Sequence, residues 1–228
     1  VLPIPTANLT DFPVEVPIVA DADIGAACLA TGYDLRFTAA DGTTLLAYER
    51  ESFAVAGGEA TGIFWVKTNV ATAGTYIWCY YGNPDATDGQ DAENVWDSHF
   101  AAVYHMKDDP DTSHVKDSTA NANNGTKKGA NEPIEADGKI GKGQDFDGVD
   151  DYIGASGLDA YASGKSAITI EISFNYSTLK TNESLIGWAW NASANFWVSG
   201  VLYWRASFAG GEVGAAAPAA YNDDAWHQ

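Results

Sequence analysis

The run Asp137-Gly-Lys-Ile-Gly-Lys-Gly-Gln-Asp-Phe-Asp-Gly-Val-Asp-Asp-Tyr-Ile153 leaves this chain few ways to fold. Gly138, Gly141 and Gly143 break any helix before it can grow. What remains is a tight turn, a short strand around Phe146, a second turn at Gly148 and a strand from Tyr152. On a strand, Phe146 faces one way while Asp145 and Asp147 face the other. The expected outcome is a β-sandwich hairpin, with Phe146 and Ile153 anchored in the core and the acids outside.

The rest of the sequence is punctuated in the same manner. Pro3, Pro5, Pro13 and Pro17 exclude a helix and assign Phe12–Ile18 to a sheet edge. A short helical turn is expected within Asp21–Ala30. Gly32–Thr38 reads as a strand with Tyr33, Leu35 and Phe37 on one face. Ala40-Asp-Gly-Thr43 is a hairpin turn, and Thr44–Phe53 the return strand. Thr61–Thr68 alternates strictly. Thr75–Tyr81 is almost continuously aromatic and β-branched, which predicts a central strand buried on both faces. Ala92–Asp97 is a helical turn with Trp96 packed between domains, and Phe100–Met106 a further strand. Trp65, Trp78 and Trp96 are expected in core or inter-domain packing.

Charge narrows the function classes. Acidic residues number 31 against 12 basic ones, a formal net charge of -19. A phosphate-binding surface needs clustered Lys and Arg, so nucleic acid is excluded as a partner. Cys28 and Cys79 fit either one disulfide or two buried thiols. No Cys/His spacing suits zinc. No apolar run reaches membrane-spanning length, so no membrane insertion is expected in this segment. No secretory leader opens the sequence at Val1, so any targeting segment is expected to have been removed.

Two resemblances emerge. Asp34-Leu-Arg-Phe-Thr, Asp41-Gly-Thr-Thr-Leu-Leu, Tyr48-Glu, Phe64-Trp-Val-Lys and Tyr80-Tyr-Gly-Asn-Pro resemble, in this order, an uncharacterised β-sandwich domain of secreted and surface proteins. The likeness covers about residues 9–98. Further on, Val103-Tyr-His-Met, Asp117-Ser-Thr-Ala-Asn-Ala-Asn-Asn-Gly-Thr126, Asp137-Gly-Lys-Ile-Gly-Lys-Gly, Phe146-Asp-Gly-Val-Asp-Asp-Tyr-Ile153 and Ile168-Thr-Ile-Glu-Ile-Ser-Phe174 are similar to the laminin-G/concanavalin A-like lectin fold. Together they imply an all-β chain of two tandem antiparallel β-sandwiches, at 1–98 and 99–228. The second would be a jelly roll truncated before its last strands.

Three chemistries fit clusters of residues in this sequence. Asp145, Asp147, Asp150 and Asp151 could ligate calcium, with Asp117, Asn121, Asn123 and Asn124 adding oxygens, since calcium takes about six to eight. The competing reading is that these residues shape Asx turns. Trp188, Trp190, Asn191, Trp204 and Arg205 could form a glycan platform, the rings stacking and the polar groups bonding hydroxyls. The same rings could equally fill a sandwich core. Glu49 and Glu51 share a strand face and could approach the separation of a retaining glycosidase pair. The bland alternative is a solvated strand face. The Glu-x-Asp-x-x-Glu strand of laminarinase-type lectin-fold hydrolases is absent. His105 is expected to pack at a sandwich edge, and no nucleophile elbow accompanies it.

The expectation is therefore a non-catalytic recognition or adhesion module. It would sit on an extracellular, cell or virion surface and bind glycan or a surface protein, with calcium as its one candidate cofactor. A structural subunit of a phage virion or extracellular filament, self-assembling through an open sheet edge, is the first alternative. A glycoside hydrolase of lectin-like fold is the second.

Overall fold

A computed structural model of the chain describes residues 4–158, 161, 168–177, 183–190, 192–198, 202–208, 211–216 and 224–227. It is all-β, built from antiparallel sheets, as the sequence predicts. Two compact units are present. The first holds residues 1–110 and 115–124, the second residues 111–114 and 125–228. Among the described residues no helix is long and apolar enough to cross a membrane.

In chain order the first unit carries β1 (Leu9–Asp21), α1 (Ala22–Ala27), β2 (Arg36–Thr38), β3 (Tyr48–Ala56), β4 (Glu59–Val70), β5 (Trp78–Tyr80), α2 (Ala92–Val95) and β6 (Tyr104–Asp108); β7 (His114–Asp117) follows across the division between units. One sheet runs β1-β4-β3 and a second pairs β2 with β5. Their inner faces enclose Ile18, Leu35, Phe37, Tyr48, Phe64 and Val66. Rings meet there edge-on or tilted: Phe37 lies 5.3 Å from both Tyr48 and Phe64. Such contacts add about 0.5–1.5 kcal/mol each beyond area burial.

Local sequence explains the sheet. In β4 the even positions from Ala60 to Val70 are buried and the odd ones are not, the period-two signature of a strand with one face in the core. β3 turns into β4 through Gly57-Gly58, both at positive φ, which a two-residue hairpin of this twist demands. β1 carries Pro13 and Pro17 and pairs only with β4, as edge prolines require. Its register slips at Asp11 and Ala20, both at positive φ. A side chain of β4 accepts each slipped amide, Asn69 Oδ1 at 2.9 Å and Thr61 Oγ1 at 3.3 Å. In α1, Asp21 caps the first turn by accepting from the Ile24 amide at 2.8 Å.

Three expectations need correction. Thr75–Tyr81 is not a doubly buried central strand. Only Trp78–Tyr80 is strand; Ile77 and Cys79 pack inward, while Trp78 is 51 % exposed. Its partner β2 is equally short, and nothing among the described residues covers the outer face. Tyr33 does not join Leu35 and Phe37 in the core; it is exposed and Asp34 is buried instead. Asp34 is turned inward because its carboxylate accepts the amides of Leu29 (2.9 Å) and Gly82 (2.7 Å), tying two loops together. Finally, the strand foreseen at Phe100–Met106 begins only at Tyr104.

The second unit contains β8 (Gly125–Lys127), β9 (Ile134–Asp137), β10 (Lys142–Asp145), β11 (Ile153–Ala155), β12 (Phe174–Asn175), β13 (Glu183–Trp190), β14 (Ala192–Val198), β15 (Leu202–Phe208), β16 (Gly211–Ala216) and β17 (Trp226–His227). β9 and β10 form a hairpin, β8 pairs with β11, β12 with β17, and β13-β14-β15-β16 is a four-stranded meander. Phe146 departs from expectation. β10 stops at Asp145, the Asp147 amide is taken by Asp151 Oδ2 at 3.0 Å, and the chain turns there, leaving Phe146 47 % exposed. Among the described residues of this unit, Lys127 is buried, and its ammonium donates to the Pro133 carbonyl at 3.0 Å.

Candidate functional site

The aromatic set foreseen at 188–205 falls on the meander. Trp188 and Trp190 lie on β13, Trp204 and Arg205 on β15, with β14 between them. Trp188 pairs with Ala194, which pairs with Ala206; Phe196 pairs with Trp204, and Asn195 with Arg205. By register parity Trp188, Trp190 and Trp204 share one set of positions and Arg205 belongs to the other. The side chains of these four residues, and Asn191 altogether, lie outside the described residues.

The foreseen calcium ligands separate. Asp147, Asp150 and Asp151 bring one carboxylate oxygen each within 4.8 Å of one another in the turn after β10. Asp145 stays on β10, paired with Ile134, and does not join them. The three could offer a cation one oxygen apiece, short of the full shell calcium prefers. Their oxygens already serve the turn: Asp147 Oδ1 accepts from the Val149 amide at 2.8 Å, and Lys128 Nζ sits 2.5 Å from Asp150. The hydrogen bond to Asp150 raises the Lys128 ammonium above its ordinary value. Asp117, offered as a further ligand, follows the Asx-turn reading. Buried, it accepts from the amides of Val103, Thr119 and Asn123 and from the Thr119 hydroxyl. Asn124 Oδ1 accepts the Asp117 amide, Asn121 donates to the Phe100 and Ala101 carbonyls, and Asn123 donates to the Ala101 carbonyl.

Glu49 and Glu51 do share a face, but it is not a solvated one. Both side chains are buried, bridged by His105. His105 Nε2 lies 2.9 Å from Glu49 Oε2 and Nδ1 lies 3.3 Å from Glu51 Oε2. Trp96 Nε1 donates to Glu49 Oε2, Trp65 Nε1 to Glu51 Oε2, and Ser118 Oγ to Glu49 Oε1, all at 2.6 Å. The imidazole lies 6.1 Å from the Trp65 ring, stacked, and 5.9 Å from Trp96. Arg50, between the two glutamates, points away to a bidentate pair with Asp88 at 2.8 and 3.1 Å.

Backbone register explains the cluster. The pairing of β3 with β4 slips between Arg50 and Ser52, so Glu51 is the extra residue of a β-bulge. The slip lets Tyr48 and Phe53, five apart, both pack on the core. Glu49 and Glu51 are left on the reverse face beside Trp65. There α2, β6 and Ser118 close over them, bringing Trp96 and His105.

The charge states follow. Burial alone would lower His105, but hydrogen bonds to both glutamates and their charges overcome it, lifting the imidazole to about 9. Burial alone would raise Glu49; the His105 hydrogen bond and charge, with Ser118 and Trp96, hold it below its ordinary value. At neutral pH the raised His105 is thus a buried imidazolium, with Nε2 donating to Glu49 and Nδ1 facing Glu51. Sequence reasoning missed it. Its one signal was the odd spacing of Tyr48, Phe53 and Val55, which strict alternation cannot place on one face.

A second feature lies outward. Tyr76, Trp78 and Tyr80 alternate with inward-packed Ile77 and Cys79, and all three are about half exposed. Trp78 Nε1 donates to the Ala40 carbonyl at 3.2 Å and the Tyr80 hydroxyl to the Gly42 carbonyl at 3.0 Å. Gly42, at positive φ, sits where a Cβ would come 3.2 Å from the Tyr80 oxygen. Asp41 braces the turn, accepting from the amides of Thr43 and Thr44 at 2.9 Å each. The Thr44 hydroxyl, which donates to Asp41 Oδ2 at 2.6 Å, and these amide bonds hold its carboxyl at about 2.

The first unit is thus an all-β domain with a charged clasp on one face of its main sheet and an exposed aromatic strip on its second sheet. Residues 31–120 match a protein family, Domain of unknown function (DUF2341). The match takes in Glu49, Glu51, Trp78, Tyr80, Trp96 and His105, and runs past the 9–98 stretch of the first resemblance. No curated protein and no solved structure matches the chain.

Proposed function

We propose that this chain is a non-catalytic recognition or adhesion module of an extracellular, cell or virion surface, binding glycan or a surface protein as part of a larger surface protein. In this reading residues 99–228 form a laminin-G/concanavalin A-like jelly roll that follows the first domain along the chain. The observation that carries it is the row of large aromatic rings at Tyr76, Trp78 and Tyr80, about half exposed while Ile77 and Cys79 between them pack on the core. Exposed aromatic surface of this kind is what ligand sites and interface anchors are made of. The non-catalytic part draws support from Glu49 and Glu51, whose carboxylates accept from internal donors rather than flanking a cleft.

The test is an array of glycans and immobilised surface proteins probed with the 228-residue chain, with calcium and with EDTA. Saturable binding to at least one class is expected. Failure to bind any glycan or protein in either condition would remove the recognition reading. Loss of binding in EDTA would show that a divalent cation is needed, with Asp147, Asp150 and Asp151 the first residues to substitute in search of its site.

A further inference from the structure

Trp78 and Tyr80 lie two apart on β5 and so leave one face, and Tyr76, two residues before the strand, is exposed like them while Ile77 and Cys79 pack inward. Four residues of extended chain span about 13 Å, which makes the rings a linear strip rather than a round patch. Two of the three are fixed. The Trp78 indole N–H and the Tyr80 hydroxyl are tied to carbonyls of the 40–42 turn, so their polar edges point at protein. What remains for a ligand is the flat, apolar ring surface, with little rotamer freedom left to lose on binding.

Resting on the recognition reading above, we propose that this strip binds a neutral polysaccharide chain, laid along β5 with successive sugar rings stacked on Tyr76, Trp78 and Tyr80. Three observations choose this occupant. The strip is one strand wide, offering on the order of 130 Å² if it is about 10 Å across, whereas a stable protein interface needs about 800 Å² per partner. A stacking row suits a ligand that is itself a linear series of rings with apolar faces. The net charge of -19, with Asp41 beside the strip, repels sulfated or uronic polymers and leaves uncharged ones.

Affinity gel electrophoresis of the 228-residue chain tests this, with mixed-linkage β-glucan, xylan or galactomannan in the gel against alginate and dextran sulfate. The wild type should be retarded by at least one neutral polymer and by neither anionic one. Trp78→Ala should weaken that retardation by about tenfold or more, the scale of an anchor residue. Tyr76→Ala touches neither turn carbonyl and should weaken it with an unchanged melting temperature, so the proposal stays testable if Trp78→Ala unfolds. Tyr80→Phe, which keeps the ring, should retain it. Wild-type retardation in both alanine variants would overturn the strip while leaving the recognition reading intact; its loss in Trp188→Ala instead would move binding to β13. Retardation by the anionic polymers alone, or by none, overturns the proposal, and protein binding on the array would then identify the partner class.

Discussion

Replacing Glu49 with alanine removes the centre of the buried clasp. Trp96 Nε1 and Ser118 Oγ lose their acceptor, and His105 keeps only the longer contact to Glu51. Each stranded buried donor costs about 1–3 kcal/mol, and breaking a buried ion pair from one side about 3–5 kcal/mol in all. These overlap, so the whole effect is set at about 3–5 kcal/mol. Glu49→Gln keeps the shape and one acceptor; it should lose about 1.5–3 kcal/mol, the worth of a hydrogen bond to a charged group. Because the chain holds two units, a shift in an unfolding midpoint does not by itself say which unit has lost stability. Amide exchange by mass spectrometry in the intact chain, over peptides covering 48–70 and 100–118, reads the local opening directly. Glu49→Ala should speed opening there by about a hundredfold to several thousandfold, and Glu49→Gln by clearly less. Exchange in Glu49→Ala within about threefold of wild type would refute the clasp as a stabilising element.

The same experiment has a pH signature. His105 is raised from 6.5 to about 9 in the fold, so its contribution is complete below pH 6.5 and disappears as pH climbs through about 9. That rise corresponds to at most about 3 kcal/mol. Glu49 is lowered from 4.5, so its contribution is complete above pH 4.5 and disappears as pH falls through the lowered value. Opening, corrected for intrinsic exchange, should be slowest between about pH 4.5 and 6.5. Glu49→Ala should flatten the alkaline limb.

Further outcomes follow from other residues. Asp34→Ala strands the amides of Leu29 and Gly82 and should destabilise the first unit by about 2–5 kcal/mol, read as faster exchange at 28–37 and 78–84. Phe146→Ser, at a position the hairpin pattern assigned to the core, should change the melting temperature little, within about 0.5 kcal/mol. Cys79 is pushed up to about 12 by burial and by Asp21, Asp34 and Cys28; iodoacetamide at pH 8 should spare it in the native chain and label it after urea, as peptide mapping will show.

How far the sequence could be read depended on the range of the forces involved. β4 was legible because alternation is local and one face meets one core. The edge prolines of β1, the short helix α1 and the 40–43 turn were legible for the same reason, but the hairpin expected across that turn was not, since β2 pairs with β5 and β3 with β4. The exposure of Trp78 was not, because whether a second layer covers an aromatic strand is decided by segments far away. The clasp failed doubly. A bulge at Glu51 breaks the alternation, and the residues that bury Glu49 come from about fifty positions downstream. Phe146 was misplaced by a turn whose amide bonds to a side chain, a preference that competes with pairing and leaves little trace in a hydrophobic pattern.

β1 carries a final consequence, in how the molecule behaves when crowded. Amides at alternate positions of a strand point the same way, so those of residues 13, 15 and 17 share a direction. Prolines stand in a paired strand only where the nitrogen faces away from the partner, so this direction is outward from β4. Two of the three outward positions therefore have no N–H to donate, and only Glu15 does, carrying a negative charge beside it. The slips at Asp11 and Ala20 end the straight run on either side, and side chains of β4 have already taken their amides. A neighbouring copy trying to add a strand along β1 would find a single donor in about five residues. Copies held at high local concentration are thus denied this route to fibrous association, and the strip on β5 can be displayed densely without β1 acting as a seed.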